Sequence, residues 1–419
     1  MDTKKTSRRA YFDWLLLSLF FAYQYLLRCC PSVFTNEIRS TFSIGAGEFS
    51  NFGAWFMLAY GGLQIPFGIA LDRIGIRRTI LCAFALCLVG QYVFTHASSY
   101  ESALFGRVLT GIGGAPGFMS ALKLIADAFS EKSCGLFIGI TGMFTGAVVI
   151  VNPLLKKICL EQNDWRIAAD NLNFFGLAVF MLCLLFLFPK KNSASVEHTK
   201  TSFRSSLCAI ACNYKVYVCA AFIIGTNIVA MTLAELWGPS FLMTKFHLGE
   251  QDAVNATQLI SVGMVLGELI LPLLFCDGRK ILWGVRLCCG GLVGIFALLI
   301  YGTQLPSVVL QTVLLLMGVF GAADVFAFTL GAQLSTPQTS GMLMSWINSI
   351  GMLGEPVLQK WIGVALDRRW SGLTDGNGLR LYRTADYESA LTLMLIMSAL
   401  CFAVAFIMKN KGKTTVGTA

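Results

Sequence analysis

The 419-residue chain is 56% hydrophobic and only 13% charged, and its mean hydropathy is +0.68. Soluble domains carry about 25% charged residues, so the composition excludes a soluble multidomain enzyme, a disordered chain and a disulfide scaffold. The net charge of +9 comes from basic residues between apolar runs, which argues against a nucleic-acid partner. We therefore expect an all-α protein that spans a lipid bilayer.

Twelve apolar runs along the chain are long enough to cross a bilayer as α-helices. The first six are expected near residues 14–34, 49–70, 79–97, 101–123, 134–155 and 168–188. The second six are expected near residues 216–238, 255–276, 282–303, 307–334, 341–364 and 387–408. The longest polar interruption separates the two sets. The sequence therefore predicts an N-terminal six-helix lobe (1–188), a cytoplasmic linker (189–215) and a C-terminal six-helix lobe (216–419).

The orientation follows from the distribution of Lys and Arg. If the N-terminus is cytoplasmic, the predicted inner segments hold more Lys and Arg than the outer ones, as the positive-inside rule requires. The first apolar run is too long for the core of a cleaved signal peptide, so it is expected to remain as an anchor. We expect both termini in the cytoplasm, and the short tails favour a bacterial inner membrane.

A short loop with an unusual density of glycine and charge follows the second span. Its notable residues are Gly68, Asp72, Arg73, Gly75, Arg77 and Arg78. Gly68 permits close helix packing, and Gly75 permits a tight turn between two antiparallel spans. Asp72 lies at a membrane edge, where it can pair with a base or with the N-terminus of a neighbouring helix. We expect this loop to gate the protein and not to bind a solute.

Two arginines fall inside predicted spans of the first half. Gln24 and Arg28 are four residues apart in span one and share a face with Tyr25. Arg28 suits bidentate capture of a carboxylate, or it is neutralised by an acid from another helix and holds the lobes together. Arg107 precedes a glycine-rich stretch in span four. Left alone at the bilayer centre, it would cost about 2.5–3.5 kcal/mol, so it is expected to face a cavity or a partner.

Carboxylates and amides supply the polar groups of the second half. The acidic residues within its spans are Glu235, Glu268, Asp324 and Glu355. Asp324 and Glu355 lie near mid-span and are predicted to carry a proton or to form interlobe ion pairs. Glu235 is predicted to belong to the same proton-coupling or interlobe charges, with gating, loop anchoring or solute binding as its alternatives, and Glu268 is predicted to be a packing residue. Asn227 and Asn348, at a similar depth, join Gln24, Tyr25, Arg28 and Arg107 as predicted substrate-binding residues.

Neither a metal nor a nucleotide cofactor is expected. The 14 cysteines form no CxxC pair, and the three histidines are far apart, so no ligand cluster can be read. There is no Walker-type phosphate loop, so transport would be driven by the solute gradient or by protons. A membrane-embedded enzyme would need a nucleophile beside a base, and the spans offer no such pair.

Three patterns resemble a known family. The loop from Gly68 to Arg78 and the Arg107-x3-Gly111 pattern resemble motifs of the major facilitator superfamily. The run Tyr23-x-Tyr25-x-x-Arg28-x-x-Pro31-Ser32 is similar to a signature of its branch containing lysosomal dipeptide uniporters and bacterial phagosomal amino-acid transporters. The resemblance implies twelve transmembrane helices in two pseudo-symmetric six-helix lobes, as in other secondary transporters.

The resemblance also implies a function and its alternatives. We expect a monomer that moves a small zwitterionic solute, an amino acid or a dipeptide, by alternating access. A nucleoside, a siderophore or an organic anion is the alternative solute on the same fold. A transport-dead membrane receptor is the alternative of a different class. On the resemblance alone, a lysosomal membrane is the alternative location.

Overall fold

A computed structural model describes residues 7–44, 46–187, 203–275, 280–302, 305–336, 339–372 and 382–407. Every regular element within these ranges is helical, which confirms the predicted all-α architecture. Ten helices in the described part are long and apolar enough to cross a membrane, and they coincide with ten of the predicted spans. Predicted spans five and eleven coincide with further helices over residues 131–162 and 340–369.

The first half of the chain folds into helices that alternate with short turns. In chain order they are α1 (Arg8–Val33), α2 (Thr35–Phe42), α3 (Ala46–Arg73), α4 (Ile76–Thr95), α5 (Tyr100–Gly114), α6 (Gly117–Ala128), α7 (Glu131–Met143), α8 (Ala147–Gln162) and α9 (Trp165–Phe186). A 3₁₀ turn at Phe144–Gly146 joins α7 to α8. Predicted span five is therefore helical along its length but contains one tighter turn.

The second half has the same helical character. Its helices are α10 (Phe203–Ala211), α11 (Tyr214–Ile223), α12 (Val229–Thr232), α13 (Gly238–Phe246), α14 (Glu250–Phe275), α15 (Ile281–Tyr301), α16 (Ser307–Gly321), α17 (Asp324–Leu334), α18 (Ser340–Arg369) and α19 (Thr384–Ile407). Two π-helical segments, Ile224–Ile228 and Leu233–Trp237, flank α12. Predicted span seven thus contains two wide turns, a feature frequent at functional sites.

The helices pack into two compact units. The first contains the described residues of 1–130, 140–216 and 331–349, and the second those of 131–139, 217–330 and 350–419. The start of α18 therefore packs with helices from the first half of the chain. Of the predicted linker, residues 189–202 lie outside the described residues, and the next part is α10. The division into two lobes joined by this linker stays a prediction.

Predicted spans four and ten are both interrupted near their middle. Span four breaks between Gly114, which ends α5, and Gly117, which begins α6. Span ten breaks between Gly321, which ends α16, and Asp324, which begins α17. Interrupted helices at matching places in two halves are a feature of transporters with internal repeats, and substrate sites lie beside them.

A close helix contact places α5 against α3 in the first unit. A Cβ atom on Gly111 would lie only 2.5 Å from the carbonyl oxygen of Phe56. Glycine is needed at this point because any larger side chain would push the two helices apart. The contact brings Arg107, one turn earlier on α5, into the interior of the unit.

Candidate functional site

Arg107 satisfies a carbonyl that a proline leaves without its helical donor. Pro31 lies inside α1, and because proline has no N–H, the carbonyl of Leu27 loses its partner four residues on. The Nη1 atom of Arg107 donates to this carbonyl at 2.7 Å. Its other nitrogens donate to the carbonyls of Arg28 at 3.2 Å and Phe52 at 3.4 Å. One guanidinium group thus holds α1 and α3 to α5.

The surroundings of Arg107 are apolar. The residue is fully buried, and its guanidinium lies over the Phe56 ring, 4.6 Å from the ring centroid. Within the described residues, no carboxylate lies at ion-pair distance from it. All three hydrogen bonds described for the guanidinium end on main-chain carbonyls, so Arg107 is built into the packing of the unit. Its predicted part in substrate binding stays a prediction.

Gln24, Tyr25 and Arg28 form the α1 side of a polar cluster. Arg28 is half-buried, and its guanidinium carbon lies 5.5 Å from the centroid of the Tyr25 ring. Gln24 is buried against the break in span four. A Cβ atom on Gly114 would lie 3.1 Å from the Gln24 Oε1 atom and 3.6 Å from the Tyr60 ring. Gln24 and Tyr60 therefore both lie beside the helix break.

The α3 side of the cluster was missed by the sequence analysis. The Tyr60 hydroxyl lies beside the Gln64 amide and within electrostatic range of Arg28. The Gln64 Oε1 atom accepts hydrogen bonds from Asn348 Nδ2 at 3.0 Å and from Ser349 Oγ at 3.4 Å. Predicted residue Asn348 is thus joined to the cluster through Gln64. We call Gln24, Tyr25, Arg28, Tyr60, Gln64 and Asn348 the amide–arginine cluster.

A sequence signal for the missed residues does exist. Tyr60, Gln64, Gly68 and Asp72 are spaced four residues apart, so they form one stripe along α3. The stripe faces the start of α18, since Gln64 contacts Asn348 and Asp72 contacts the first turn. Counting back from Asp72 in steps of four residues, the spacing of one helix face, would have identified both Gln64 and Tyr60.

Asp72 contacts both a base and a helix N-terminus. Its carboxylate lies 2.6 Å from the Lys123 Nζ atom. It also accepts hydrogen bonds from the backbone N–H groups of Gly341 at 2.9 Å and Met342 at 2.7 Å. These N–H groups belong to the first turn of α18, where the helix dipole favours a negative charge. The geometry suits a latch, and the gating role of the loop stays a prediction.

Lys123 and Asp127 complete this ionic network and were not singled out from the sequence. Lys123 is buried on α6 and lies 3.1 Å from the Asp127 carboxylate, one turn later. The Ser340 hydroxyl accepts from Lys123 at 3.0 Å and donates to Asp127 at 2.8 Å. Two carboxylates and one hydroxyl therefore surround a single buried ammonium group, a pattern that offsets the cost of desolvation.

The remaining residues of the loop have separate places. Gly75 has a φ of +93°, which strongly favours glycine at the turn before α4. Arg77 donates to the carbonyl of Leu184 at 3.1 Å, and Arg73 and Arg78 are exposed. Gly75 and Arg77 thus help Asp72 to hold the loop in place, and Arg73 and Arg78 lie at its exposed surface.

The predicted residues of span seven lie in its π-helical segments. Asn227, which is half-buried, belongs to Ile224–Ile228, and Glu235 belongs to Leu233–Trp237. The side chain of Glu235 lies outside the described structure, as does that of Glu355 on α18. The roles predicted for these three residues stay predictions.

Asp324 lies at the break in span ten and has an acidic neighbour. It begins α17, and its Oδ1 atom accepts from the N–H of Val325 at 3.0 Å. Glu268 on α14 lies close enough for the two carboxyl groups to interact electrostatically. Its Oε2 atom is buried and has no hydrogen-bond partner within the described part of the chain. The second unit therefore contains a pair of interior acids, of which the sequence analysis selected one.

Comparisons with known proteins agree with this architecture. A family model described as Major Facilitator Superfamily matches residues 14–357. A probable L-galactonate transporter of Escherichia coli (strain K12) is 30% identical over 153 residues, which are 36% of this chain and 34% of that protein. The chain covers only 26% to 34% of the length of the first curated relatives that it matches.

Solved structures share the fold at low sequence identity. FucP, the E. coli fucose:proton symporter, crystallised in an outward conformation, has a TM-score of 0.75 and 14% identity, with 96% of this chain and 99% of that chain covered. The human organic anion transporter MFSD10 has a TM-score of 0.71 and 15% identity, with 95% and 99% covered.

The family match extends over most of the chain and includes the loop after span two, both interrupted spans and the start of α18. Ten apolar helices within the described residues agree with a multi-pass membrane protein. Members of the matched family are transporters and not enzymes, in agreement with the prediction from the sequence. The chain therefore belongs to the Major Facilitator Superfamily and is a multi-pass integral membrane protein.

Proposed function

We propose that the protein carries a small organic solute with a carboxylate group across a membrane. The observation that supports this most directly is the position of Arg28 in the amide–arginine cluster, one helical turn from Gln24 on α1 and within electrostatic range of Tyr60. A guanidinium group binds a carboxylate through two parallel hydrogen bonds, which gives both strength and orientation. Neighbouring amides and a phenol can bind the rest of a small polar molecule.

Charge in the same unit favours an anion. Arg28 and Arg107 lie close enough for their charges to repel each other. The described hydrogen bonds of Arg107 go to carbonyls, which leave its formal charge in place. A positive potential in a low-dielectric interior attracts a negatively charged solute. The cluster also lies at the break in span four, where transporters of this architecture bind their substrates.

Two of the similar proteins have names in the same chemical class, whereas FucP is named for fucose, a neutral sugar. One is named as a probable L-galactonate transporter and another as an organic anion transporter. Both names specify anions, which agrees with the alternative solute weighed from the sequence. An amino acid or a dipeptide, as predicted from the branch resemblance, also has a carboxylate and stays a candidate.

The energy source and the location belong to the proposal as well. The solute gradient or a proton drives transport, with Asp324 as the described candidate carrier. We propose that both termini are cytoplasmic, as the distribution of Lys and Arg predicts, and that the membrane is a bacterial inner membrane. The protein acts as a monomer.

Uptake into proteoliposomes tests the proposal. The labelled solutes are a sugar acid, an unhydroxylated carboxylate, an amino acid and a dipeptide, with a neutral sugar and a nucleoside as competitors. Arg28→Met is expected to lower carboxylate uptake at subsaturating concentration by about 10- to 100-fold, which corresponds to one lost charge-assisted contact. Arg369→Met, which changes an exposed arginine on α18, is the matched control.

The expected result is saturable carboxylate uptake that Arg28→Met removes and Arg369→Met retains. Uptake that only a neutral sugar or a nucleoside inhibits would refute the proposed class while leaving the fold assignment intact.

A further inference from the structure

A half-buried arginine lies in the second unit where α15 begins and α19 ends. Arg286 is in the second turn of α15, and its Nε atom donates to the carbonyl of Ala405, in the last turn of α19, at 3.1 Å. Carbonyls in the last turn of a helix have no donor within the helix, so a basic side chain can cap them. One edge of the guanidinium therefore holds the two helices together.

Arg286 has aromatic neighbours on both helices. Its guanidinium carbon lies 5.3 Å from the centroid of the Trp283 ring and 4.6 Å from that of the Phe406 ring, within the range of cation–π attraction. A Cβ atom on Gly290, one turn later on α15, would lie only 3.1 Å from the Phe402 ring, which packs edge to face on Phe406. Glycine at this position thus lets the aromatic rings of α19 lie close to α15.

The other edge of the Arg286 guanidinium is unused. Within the described part of the chain, neither Nη atom donates to an acceptor, and no carboxylate lies at ion-pair distance. A charged group in apolar surroundings is costly unless it finds a counter-charge. Two parallel donors and one positive charge are therefore left for a partner that the described chain does not supply.

The surface around Arg286 faces lipid. Trp283 is 64% exposed and Phe406 is 56% exposed, and both lie in the terminal turns of their helices. Exposed aromatic side chains near the ends of spans are typical of the membrane interface. Arg286 is five residues from the start of α15, which is about 7.5 Å along the helix axis, so its long side chain can reach the level of the lipid headgroups.

A phosphate group supplies what this arginine lacks. Its oxygens accept two parallel hydrogen bonds from one guanidinium, and its charge neutralises the cation. The flanking sequence favours a headgroup with a net negative charge, because residues 276–280 contain two bases and one acid, and residues 408–419 contain three bases and no acid. The exposed rings offer apolar surface to the glycerol and acyl parts of a lipid.

We propose that Arg286 binds the phosphate of an anionic phospholipid at the predicted cytoplasmic end of α15 and α19, with Trp283 and Phe406 as the apolar walls of the site. The Nε edge of the guanidinium caps α19, and the Nη edge binds the lipid. The site belongs to the second unit and shares no residue with the amide–arginine cluster, so it does not depend on the nature of the solute.

Quenching of Trp283 fluorescence by brominated lipids tests this site. The protein is inserted into phosphatidylcholine vesicles that contain a small share of brominated phosphatidylglycerol or the same share of brominated phosphatidylcholine. Subtracting the emission of the Trp283→Phe variant leaves the signal of Trp283. We expect brominated phosphatidylglycerol to be about fivefold enriched beside Trp283 relative to its share of the bilayer, and brominated phosphatidylcholine not to be enriched.

Arg286→Met should remove the enrichment. Arg286→Lys, which keeps the charge and loses the second parallel hydrogen bond, should lower it in part and provides the test if the methionine variant does not fold. Arg166→Met is the matched control. Arg166 also lies over a tryptophan, 4.9 Å from the Trp165 ring centroid, and donates to the carbonyl of Ala97 at 2.8 Å. Because Trp165 is only 2% exposed, lipid cannot reach that ring, and the enrichment at Trp283 should stay at the wild-type value.

An excess of inorganic phosphate separates a lipid site from a site for soluble anions. The enrichment should persist, because the bilayer and the two rings also hold the lipid. Loss of the enrichment on adding phosphate would overturn the lipid assignment in favour of a soluble phosphate. Equal quenching by the two brominated lipids in the wild type, as expected if an acid outside the described residues such as Asp277 neutralises Arg286, would refute the site. Enrichment that is unchanged in Arg286→Met and Arg286→Lys would refute it as well.

Discussion

At the scale of single residues, Pro31 and Arg107 compensate for each other. A proline inside a membrane helix leaves a carbonyl without a donor, and lipid offers no water to replace it. A buried guanidinium needs acceptors for its hydrogens and has no carboxylate nearby in the described structure. The 2.7 Å hydrogen bond from Arg107 to the Leu27 carbonyl gives that carbonyl a donor and gives the guanidinium one of its acceptors. Arg107 thus lowers the cost of Pro31 in this helix, and Pro31 provides an acceptor for the buried Arg107.

This pairing predicts a coupling between two substitutions. Arg107→Met should lower the free energy of unfolding by about 2–4 kcal/mol, because three carbonyls inside the unit lose a charged donor. In a Pro31→Ala background, the N–H of residue 31 returns to the Leu27 carbonyl, so the same change should cost about 1 kcal/mol less. Thermal unfolding of the purified protein in detergent measures the four members of this cycle.

A second arginine provides the control for this cycle. Arg286 donates to the carbonyl of Ala405 at 3.1 Å and lies 4.6 Å from the centroid of the Phe406 ring, in the second unit. Arg286→Met should therefore be additive with Pro31→Ala, since the sites share no partner. Additivity of Arg107→Met with Pro31→Ala would show that the proline has no part in the role of Arg107.

At the scale of elements, one stripe of α3 is matched to the start of α18. Asp72 caps the first turn of α18, Gly68 lies beside Ser345 and Gly341, and Gln64 binds Asn348. Hydrogen bonds and small residues are the main means by which membrane helices recognise each other. The stripe therefore joins the ionic network at one end to the amide–arginine cluster near the other. Substitutions in its middle should affect both.

Gly68→Ala tests this matched stripe. Its new Cβ would lie 2.7 Å from the Gly341 carbonyl oxygen and closer still to the Ser345 hydroxyl. Overpacking of this kind costs about 1–3 kcal/mol, so we expect a lower thermal midpoint and slower uptake. Gly53→Ala on the same helix meets nothing within 4 Å and should be neutral or stabilising by up to about 1 kcal/mol. Equal behaviour of the two variants would contradict the close α3–α18 contact.

The limits of sequence reasoning are also clearest at this scale. Long apolar runs specify membrane helices, so the spans were predictable from hydropathy and length. The pairing of α3 with α18 depends on contacts almost 270 residues apart in sequence, as for Asp72 and Gly341. No local pattern on α18 points to α3. For that reason Asp72 was predicted to pair with a base or with a helix N-terminus, but neither partner could be named.

The same reasoning explains which site residues were found. Arg28 and Asp324 stand out because a formal charge inside an apolar run is costly. Tyr60 and Gln64 are neutral, and burying them in a membrane helix costs less free energy than burying a charge, so the sequence alone does not single them out. Their significance appears only when neighbouring helices show which of their atoms are satisfied. Gln64, for example, is recognised as a site residue by the hydrogen bond that Asn348 on α18 donates to its Oε1 atom.

At the scale of the whole molecule, each half contains one interrupted span, but the side chains beside the two breaks differ in chemistry. Span four breaks at Gly114 beside Gln24 and Tyr60, while span ten breaks just before Asp324 beside Glu268. Internal duplication explains the shared position of the breaks. The break in the first half lies next to amides and a guanidinium, and the break in the second half next to two acids. This division suggests anion binding in one half and proton carriage in the other.

The pair of acids formed by Asp324 and Glu268 bears on how transport is driven. Two negative charges in an apolar interior repel each other, and one proton shared between Asp324 and Glu268 removes that repulsion. If this proton moves with the solute, an inward gradient of one pH unit should support at most about tenfold accumulation per proton. Asp324→Asn and Glu268→Gln should each abolish that accumulation, while exchange of labelled for unlabelled solute without a gradient continues.

Exchange is the measurement that separates loss of coupling from loss of binding, because it needs no net proton movement. Glu161→Gln, which alters an exposed acid paired with Lys157 on α8, serves as the control and should accumulate solute like the wild type. Glu355→Gln is measured in parallel, because the sequence analysis names Glu355 as a second carrier. Gradient-driven accumulation that survives in both Asp324→Asn and Glu268→Gln would refute the pair as the carrier. Wild-type uptake that ignores the gradient would make the protein a uniporter, and the interior acids would then serve to hold the break in span ten.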